Sequence, residues 1–308
     1  VDLWARDRKL ADAIQRHRRN PRYLTEFRIP DNVRATSSFE ETLSGKDLII
    51  SAVPSHGVRE TWERAAPFVR PDTLIVSATK GIEVHTGKLM SQVLLEVLPP
   101  KKHAHLVSLS GPSFAHEVAA DRPTGISLAS ANESFAIAAQ SILSTPNFRC
   151  YTNTDVLGVE LGGALKNVIA IAVGVCDGMG LGLNTRAMMM TRGLAELTRL
   201  GIRLGANPLT FLGLSGIGDL MLTCTGDLSR NRRVGLEIGR GKKVDEVLGG
   251  LNQVAEGVRT TQSTYELARE HDVDMPITEE TYAVLYEAKD PKLAVRDLMR
   301  RQLRSEYE

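Results

Sequence analysis

Between Asp155 and Asp177 the chain reads as one long, largely apolar helix whose composition limits what can surround it. At helical pitch Gly158, Gly162, Lys166, Ala170 and Gly174 recur every fourth residue, so a single lysine rises from a stripe almost bare of side chains. Glycine inside a helix costs about 0.8–1 kcal/mol relative to alanine. A helix that carries three on one stripe predicts that something comes very close to its backbone, either protein or ligand. A central helix whose lysine merely snorkels outward satisfies the same pattern, so the choice rests on the rest of the chain.

Before this helix, short apolar runs alternate with helical periodicity. Val1–Ala5 alternates like the end of a strand, and Asp7–Arg18 carries Leu10, Ala13 and Ile14 at helical spacing. Residues 47–53, 73–77 and 106–109 are continuous apolar runs of the kind expected for strands buried on both faces of a parallel sheet. Helical segments fall between them, near Val58–Ala66 and Leu89–Val97, and Phe148–Thr152 reads as a last strand. Alternation of this kind predicts an α/β fold with a doubly wound sheet.

In such sheets ligands sit beyond the carboxyl ends of the strands. There the sequence places Pro54-Ser55-His56, then Ala78-Thr79-Lys80-Gly81, then Ser110-Gly111-Pro112-Ser113-Phe114-Ala115. Lys80 stands where a phosphate or a polarised carbonyl would want a cation, while Gly111 permits close backbone approach and Ser113 offers a hydroxyl. Each is also an ordinary turn residue taken alone. No G-x-G-x-x-G dinucleotide fingerprint occurs, and Val1 falls inside what reads as a second strand. A first strand, its glycine loop and its helix would occupy about 30 residues upstream; the expectation is a Rossmann-like domain lacking that opening unit. At the end of the Val1–Ala5 strand stands Arg6, suited to a 2′-phosphate, so NADP is preferred over NAD, with Asp7 beside it as the competing signal.

Past residue 153 helical patterns take over, which divides the chain into residues 1–153, a dinucleotide-binding domain, and residues 154–308, an all-α substrate domain. Residues 178–184 are glycine-rich and read as a loop, and Met188–Leu204 forms a helix with Met189, Leu194, Leu197 and Leu200 as its core face. Ser215–Leu220 is a tight turn that delivers Asp219, with Thr223 four residues on. Ser229-Arg230-Asn231-Arg232-Arg233 opens a helix running toward Gly239. Cations belong at the other end of a helix, so three arginines here repel unless an anion fills the gap. A phosphate held by free amides, Arg230 and Asn231 would do so; a solvated basic face is the plainer alternative.

Global charge excludes several classes. With 38 basic and 37 acidic side chains the chain has no net field for nucleic acid or an anionic membrane. Cys150, Cys176 and Cys224 are scattered and odd in number, which supports neither a disulfide framework nor a metal site and fits a reducing compartment. The longest apolar run, near Val168–Cys176, is about half of the roughly 20 residues a membrane helix needs. Stable membrane insertion is not expected, and a cytoplasmic location is.

Taken in order, Ala78-Thr79-Lys80-Gly81, Gly111-Pro112-Ser113-Phe114-Ala115, Gly163-Ala164-Leu165-Lys166-Asn167, Gly218-Asp219-Leu220 and Ser229-Arg230-Asn231 resemble the bacterial-type NAD(P)-dependent glycerol-3-phosphate dehydrogenases. The resemblance covers the whole chain and departs from the family only at the absent glycine loop. It implies a Rossmann domain followed by a helical domain, commonly a homodimer, with a product that feeds phospholipid synthesis. It implies that Lys166 is the acid/base residue, that Asp219 orients it or holds the substrate hydroxyl, and that Asn167 and Thr223 are polar helpers. Substrate contacts fall on Lys80, Gly111, Ser113, Lys166, Asp219, Ser229, Arg230 and Asn231; cofactor contacts fall on Arg6, Lys80, Ala115, Arg230, Val254 and Glu256. No metal is called for. Three rival readings remain. A hydrolase is disfavoured because Gly213-Leu214-Ser215-Gly216-Ile217 fails G-x-S-x-G. A hydroxy-acid dehydrogenase would need a carboxylate clamp in place of the Ser229-Arg230-Asn231 turn, and a dinucleotide-binding regulator would lack turnover.

Overall fold

The structure, a computed structural model, describes residues 1–250, 255–303 and 305–306. The chain separates into two compact units: Val1–Thr79, Met90–Leu109 and Ser113–Val156 form the first, and Lys80–Leu89, Ser110–Pro112 and Leu157–Glu308 the second.

The first unit is α/β. Its strands are β1 (Asp2–Trp4), β2 (Arg34–Thr36), β3 (Leu48–Ser51), β4 (Leu74–Ser77), β5 (Leu106–Ser110), β6 (Thr124–Ala129) and β7 (Phe148–Asn153). Its helices are α1 (Arg8–His17), α2 (Phe39–Leu43), α3 (Val58–Ala65), α4 (Met90–Val97), α5 (Ala115–Ala119) and α6 (Glu133–Leu143). β1 and β2 pair in parallel as a two-stranded sheet, and the others form a five-stranded sheet in the order β3-β4-β5-β6-β7. The β3/β4, β4/β5 and β6/β7 pairs are parallel.

Successive residues of β4 show why its sequence is a continuous apolar run. Ile75 joins Val58, Trp62, Met90, Val93 and Leu94 on the α3/α4 side, whereas Leu74 and Val76 join Val107, Ile126, Leu128 and Ala139 on the α6 side. A strand covered on both faces has no polar face to alternate with. This is the Rossmann-like, doubly wound layering expected from the sequence. β2 and β6 were not among the strands read from it: β2 is three residues long, and Thr124–Ala129 has only a short apolar core between its small residues.

The second unit is helical: α7 (Val156–Gly178), α8 (Gly182–Leu204), α9 (Asp219–Thr225), α10 (Arg230–Gly239), α11 (Val244–Gly249), α12 (Glu256–Glu270), α13 (Pro276–Tyr286) and α14 (Pro291–Met299). α7 is long and apolar enough to cross a membrane by composition, but 89% of that apolar window is buried inside the protein. It is the unit's central core helix, with Leu161, Leu165, Ile169 and Val173 in one cluster and Ile171 and Val175 in another. The glycine-rich stretch after α7 is shorter than expected, because α8 already begins at Gly182; Gly180 and Gly182, with φ of 73° and 85°, supply the reversal.

The bare stripe on α7 is filled by protein. A Cβ on Gly162 would lie 2.4 Å from the Ser215 carbonyl oxygen, and one on Gly174 would lie 2.2 Å from that of Arg232. α10 answers in kind: a Cβ on Gly235 would meet the Ile171 carbonyl at 2.0 Å, and one on Gly239 that of Val175 at 2.2 Å. Glycines on both helices therefore let α10 lie backbone to backbone on the carboxyl-terminal half of α7.

Candidate functional site

Lys166 sits in the middle of α7 and is buried, with its residue 6% exposed. Its Nζ donates to Thr223 Oγ1 at 2.6 Å and pairs with Asp219 Oδ1 at 2.9 Å. Thr223 has a lone pair to offer because its own proton goes to the Asp219 carbonyl one turn earlier, at 2.6 Å. The other carboxylate oxygen of Asp219 takes Lys80 Nζ at 2.6 Å, and Lys80 also donates to the Gly111 carbonyl at 2.9 Å. One buried carboxylate is thus shared by two ammonium groups.

Local conformation places each of these groups. Leu214–Gly218 winds as a π-helical turn that runs straight into α9, so Asp219 is a first-turn residue; the tight turn read from the sequence is this wider coil. Gly111 adopts φ 139°, a conformation glycine reaches at no steric cost, and so turns its carbonyl to Lys80. Ser110, just before it, is buried, and its Oγ has no hydrogen-bond partner among the described residues; it lies 2.4 Å from where a Cβ of Gly163 would stand, in space that only glycine leaves.

The electrostatics follow from burial and from the odd number of charges. Burial pushes the Lys166 ammonium below its usual pKa; Asp219 opposes that shift and Lys80 adds to it. Burial alone would raise the Asp219 carboxyl, but the two lysines and their hydrogen bonds together outweigh it and hold the group below the usual carboxylate range. The Cys224 thiol, one residue from Thr223, is pushed up to about 12 by burial and so stays protonated. With both lysines protonated the cluster carries one net positive charge, which suits an anionic ligand or a developing oxyanion.

The amino end of α10 lies beside this cluster. Ser229 caps it, accepting from the Arg232 amide at 3.2 Å. Asn231 donates to Asn167 Oδ1 at 2.8 Å and accepts from the Gly257 amide at 3.0 Å, which links α10 to the residue after Lys166 and to the start of α12. Arg230 is exposed in the first turn, and Glu256 is the half-buried first residue of α12. The three arginines of this segment are not left to repel one another. Arg232 pairs with Asp177 at 2.9 Å and Asp227 at 3.0 Å, so the protein itself supplies part of the counter-charge. Asp177 gave no signal because, in sequence, it is only a polar residue at a helix end.

The remaining expected positions belong to the first unit, apart from Val254, which lies outside the described residues. Ser113 is half-buried just ahead of α5, and Ala115 is the exposed first residue of that helix. Arg6 is exposed past the end of β1. Asp7, the competing acid there, is committed elsewhere: its Oδ1 caps α1 through the Lys9 amide at 2.9 Å, and its Oδ2 pairs with Arg22 at 2.6 Å.

Known proteins match this chain along most of its length. The family models for the NAD-dependent glycerol-3-phosphate dehydrogenase N-terminus and C-terminus match residues 1–136 and 155–296. A glycerol-3-phosphate dehydrogenase (NAD(P)+) of Syntrophotalea carbinolica is 49% identical over 308 residues, all of this chain and 92% of that protein. The enzyme of the same name from Geobacter sulfurreducens is 50% identical over 306 residues, 99% of this chain and 91% of the relative. Among solved structures, glycerol-3-phosphate dehydrogenase from Coxiella burnetii superposes with a TM-score of 0.92 at 38% identity, covering 98% of this chain and 91% of that one. A ketopantoate reductase from Ralstonia eutropha, at 14% identity and a TM-score of 0.54, shares the fold alone. With half its residues identical to such relatives along essentially its whole length, the chain belongs to the NAD(P)-dependent glycerol-3-phosphate dehydrogenase family.

Proposed function

We propose that this protein interconverts dihydroxyacetone phosphate and sn-glycerol 3-phosphate, with Lys166 as the proton donor and acceptor. The observation that carries the reading is the sharing of one buried carboxylate by Lys166 and Lys80. A protonated lysine has three N–H donors. Thr223 and Asp219 take two from Lys166, and the third is available to a substrate oxygen. Desolvation brings the ammonium closer to the range in which it can give up that proton.

NADPH or NADH, when bound, supplies the hydride. The residues of this chain do the rest. Lys166 delivers a proton to the carbonyl oxygen in reduction and removes it from the hydroxyl in oxidation. Asp219 fixes the lysine's direction and stays ionised between two cations. Arg230, with Ser229 and Asn231, holds the phosphate, and that remote binding energy fixes the carbonyl for attack. Lys80, Gly111 and Ser113 complete the substrate contacts; Arg6, Lys80, Ala115, Arg230, Val254 and Glu256 hold the cofactor. Residues 1–153 carry the dinucleotide-binding fold and residues 154–308 the helical substrate domain. Arg6, with Asp7 already engaged, supports a preference for NADP.

The resemblance carries two further readings, a homodimer and supply of sn-glycerol 3-phosphate to glycerophospholipid synthesis. Three buried free cysteines support a reducing, cytoplasmic setting. The test is steady-state NADPH oxidation with dihydroxyacetone phosphate beside unphosphorylated dihydroxyacetone. Turnover that depends on the phosphate supports the reading, and equal use of the two ketones contradicts it.

A further inference from the structure

Two charged residues of the second unit sit at helix ends that disfavour them. Asp177 lies in the last turn of α7, where the helix dipole is negative, and Arg232 lies in the first turn of α10, where it is positive. Each is offset in part by the other. Arg232 Nε meets Asp177 Oδ2 at 2.9 Å, with the side chains 12% and 7% exposed. Arg186 of α8 takes the second oxygen, through Nε and Nη2, both at 2.9 Å. Around this pair the two helix backbones touch, at Gly174 against the Arg232 carbonyl and at Gly178 against that of Leu236.

The first turn of α10 is consequently held at two points on one helix. Asn231 reaches Asn167, next to Lys166, and Arg232 reaches Asp177, about three turns further along α7. α7 acts as a ruler between the proton donor and the turn that carries Arg230. We infer that Asp177 is a positioning residue for the substrate phosphate, acting through Arg232. It withdraws Arg232 from the set of anion-binding cations and fixes the α10 turn at a set distance from Lys166. The inference rests on the reading that this turn holds a phosphate, and it deepens that reading by naming what holds the turn.

The experiment compares Asp177→Asn, Arg232→Gln and the double variant of the full protein, with dihydroxyacetone phosphate and with dihydroxyacetone. Each single variant should raise the KM for the phosphorylated ketone about tenfold, as loss of a charged hydrogen bond does, with kcat within about threefold and kcat/KM for dihydroxyacetone unchanged. The double variant should be no worse than either single one, because both break the same link. Arg232→Gln keeps the test open should Asp177→Asn fail to fold. An unchanged KM in a folded variant, an equal loss with both ketones, or additive effects in the double variant would overturn the inference. Absence of wild-type turnover with dihydroxyacetone phosphate would instead overturn the reading beneath it.

Discussion

Lys166 Nζ and Asp219 Oδ1 lie 2.9 Å apart, the two residues only 6% and 1% exposed, and Lys80 occupies the other oxygen of the same carboxylate. Asp219 is therefore the only counter-charge these two lysines are seen to share among the described residues. Asp219→Asn should leave one buried and one half-buried ammonium group facing an amide. Breaking a buried pair in this way costs on the order of 3–5 kcal/mol. Chemical denaturation should register that loss, with a fall in kcat alongside it; wild-type stability in the variant would mean the charges are not coupled as described.

Arg230 is the exposed first residue of α10, two positions ahead of the Arg232 that pairs with Asp177 and Asp227. If it clamps phosphate, Arg230→Ala removes a charge-assisted hydrogen bond worth about 1.5–3 kcal/mol. The KM for dihydroxyacetone phosphate should rise roughly 10- to 100-fold, with a smaller change in kcat. An unchanged KM would remove Arg230 from the clamp.

The contact between α7 and α10 depends on absent side chains. Gly235→Ala would drive a methyl to 2.0 Å from the Ile171 carbonyl, whereas the same change at Gly249 meets nothing within 4 Å. Gly235→Ala should destabilise the protein by about 1–3 kcal/mol through overpacking. Gly249→Ala, at the end of a helix, should be neutral or slightly stabilising. Equal midpoints in urea for the two variants would contradict the packing described.

Glu196 is buried in α8 and accepts from the Ile277 and Thr278 amides at the start of α13, at 2.7 Å and 3.2 Å. Burial outweighs these bonds and raises its pKa from 4.5 to about 7. The folded state thus holds the proton more tightly than the unfolded one. Its contribution is fully present below the unfolded pKa and is lost as pH rises through about 7. The loss is on the order of 3 kcal/mol, at about 1.4 kcal/mol per pKa unit. Urea titrations from pH 5 to pH 8 should show this fall in the wild type and a flatter profile in Glu196→Gln. The same slope in both proteins would assign the pH dependence elsewhere.

The parts of this molecule legible in the sequence are those where one local pattern has one structural solution. Continuous apolar runs marked β3, β4 and β5, and the Ser229–Arg233 segment marked the opening of α10. The glycines every fourth residue around Lys166 predicted a close approach but could not say of what, since a carbonyl of Ser215 or Arg232 and a bound ligand ask the same of the helix. The Ser229–Arg233 segment looks unbalanced in sequence because one of its two balancing carboxylates, Asp177, lies on another helix; the other, Asp227, is nearby. Glu196 has no local signal for the same reason: its partners are amides of α13, and nothing within a few residues announces them. Pairings between distant elements, unlike periodicity, leave no local trace.

The most direct test of the account is the turnover of Lys166→Ala, followed as NADPH oxidation with saturating dihydroxyacetone phosphate, beside the melting curve of the same variant. Loss of a proton-transfer group predicts a kcat lowered by about 10²- to 10⁴-fold in a protein that still folds. A folded Lys166→Ala variant turning over within about threefold of wild type would contradict it.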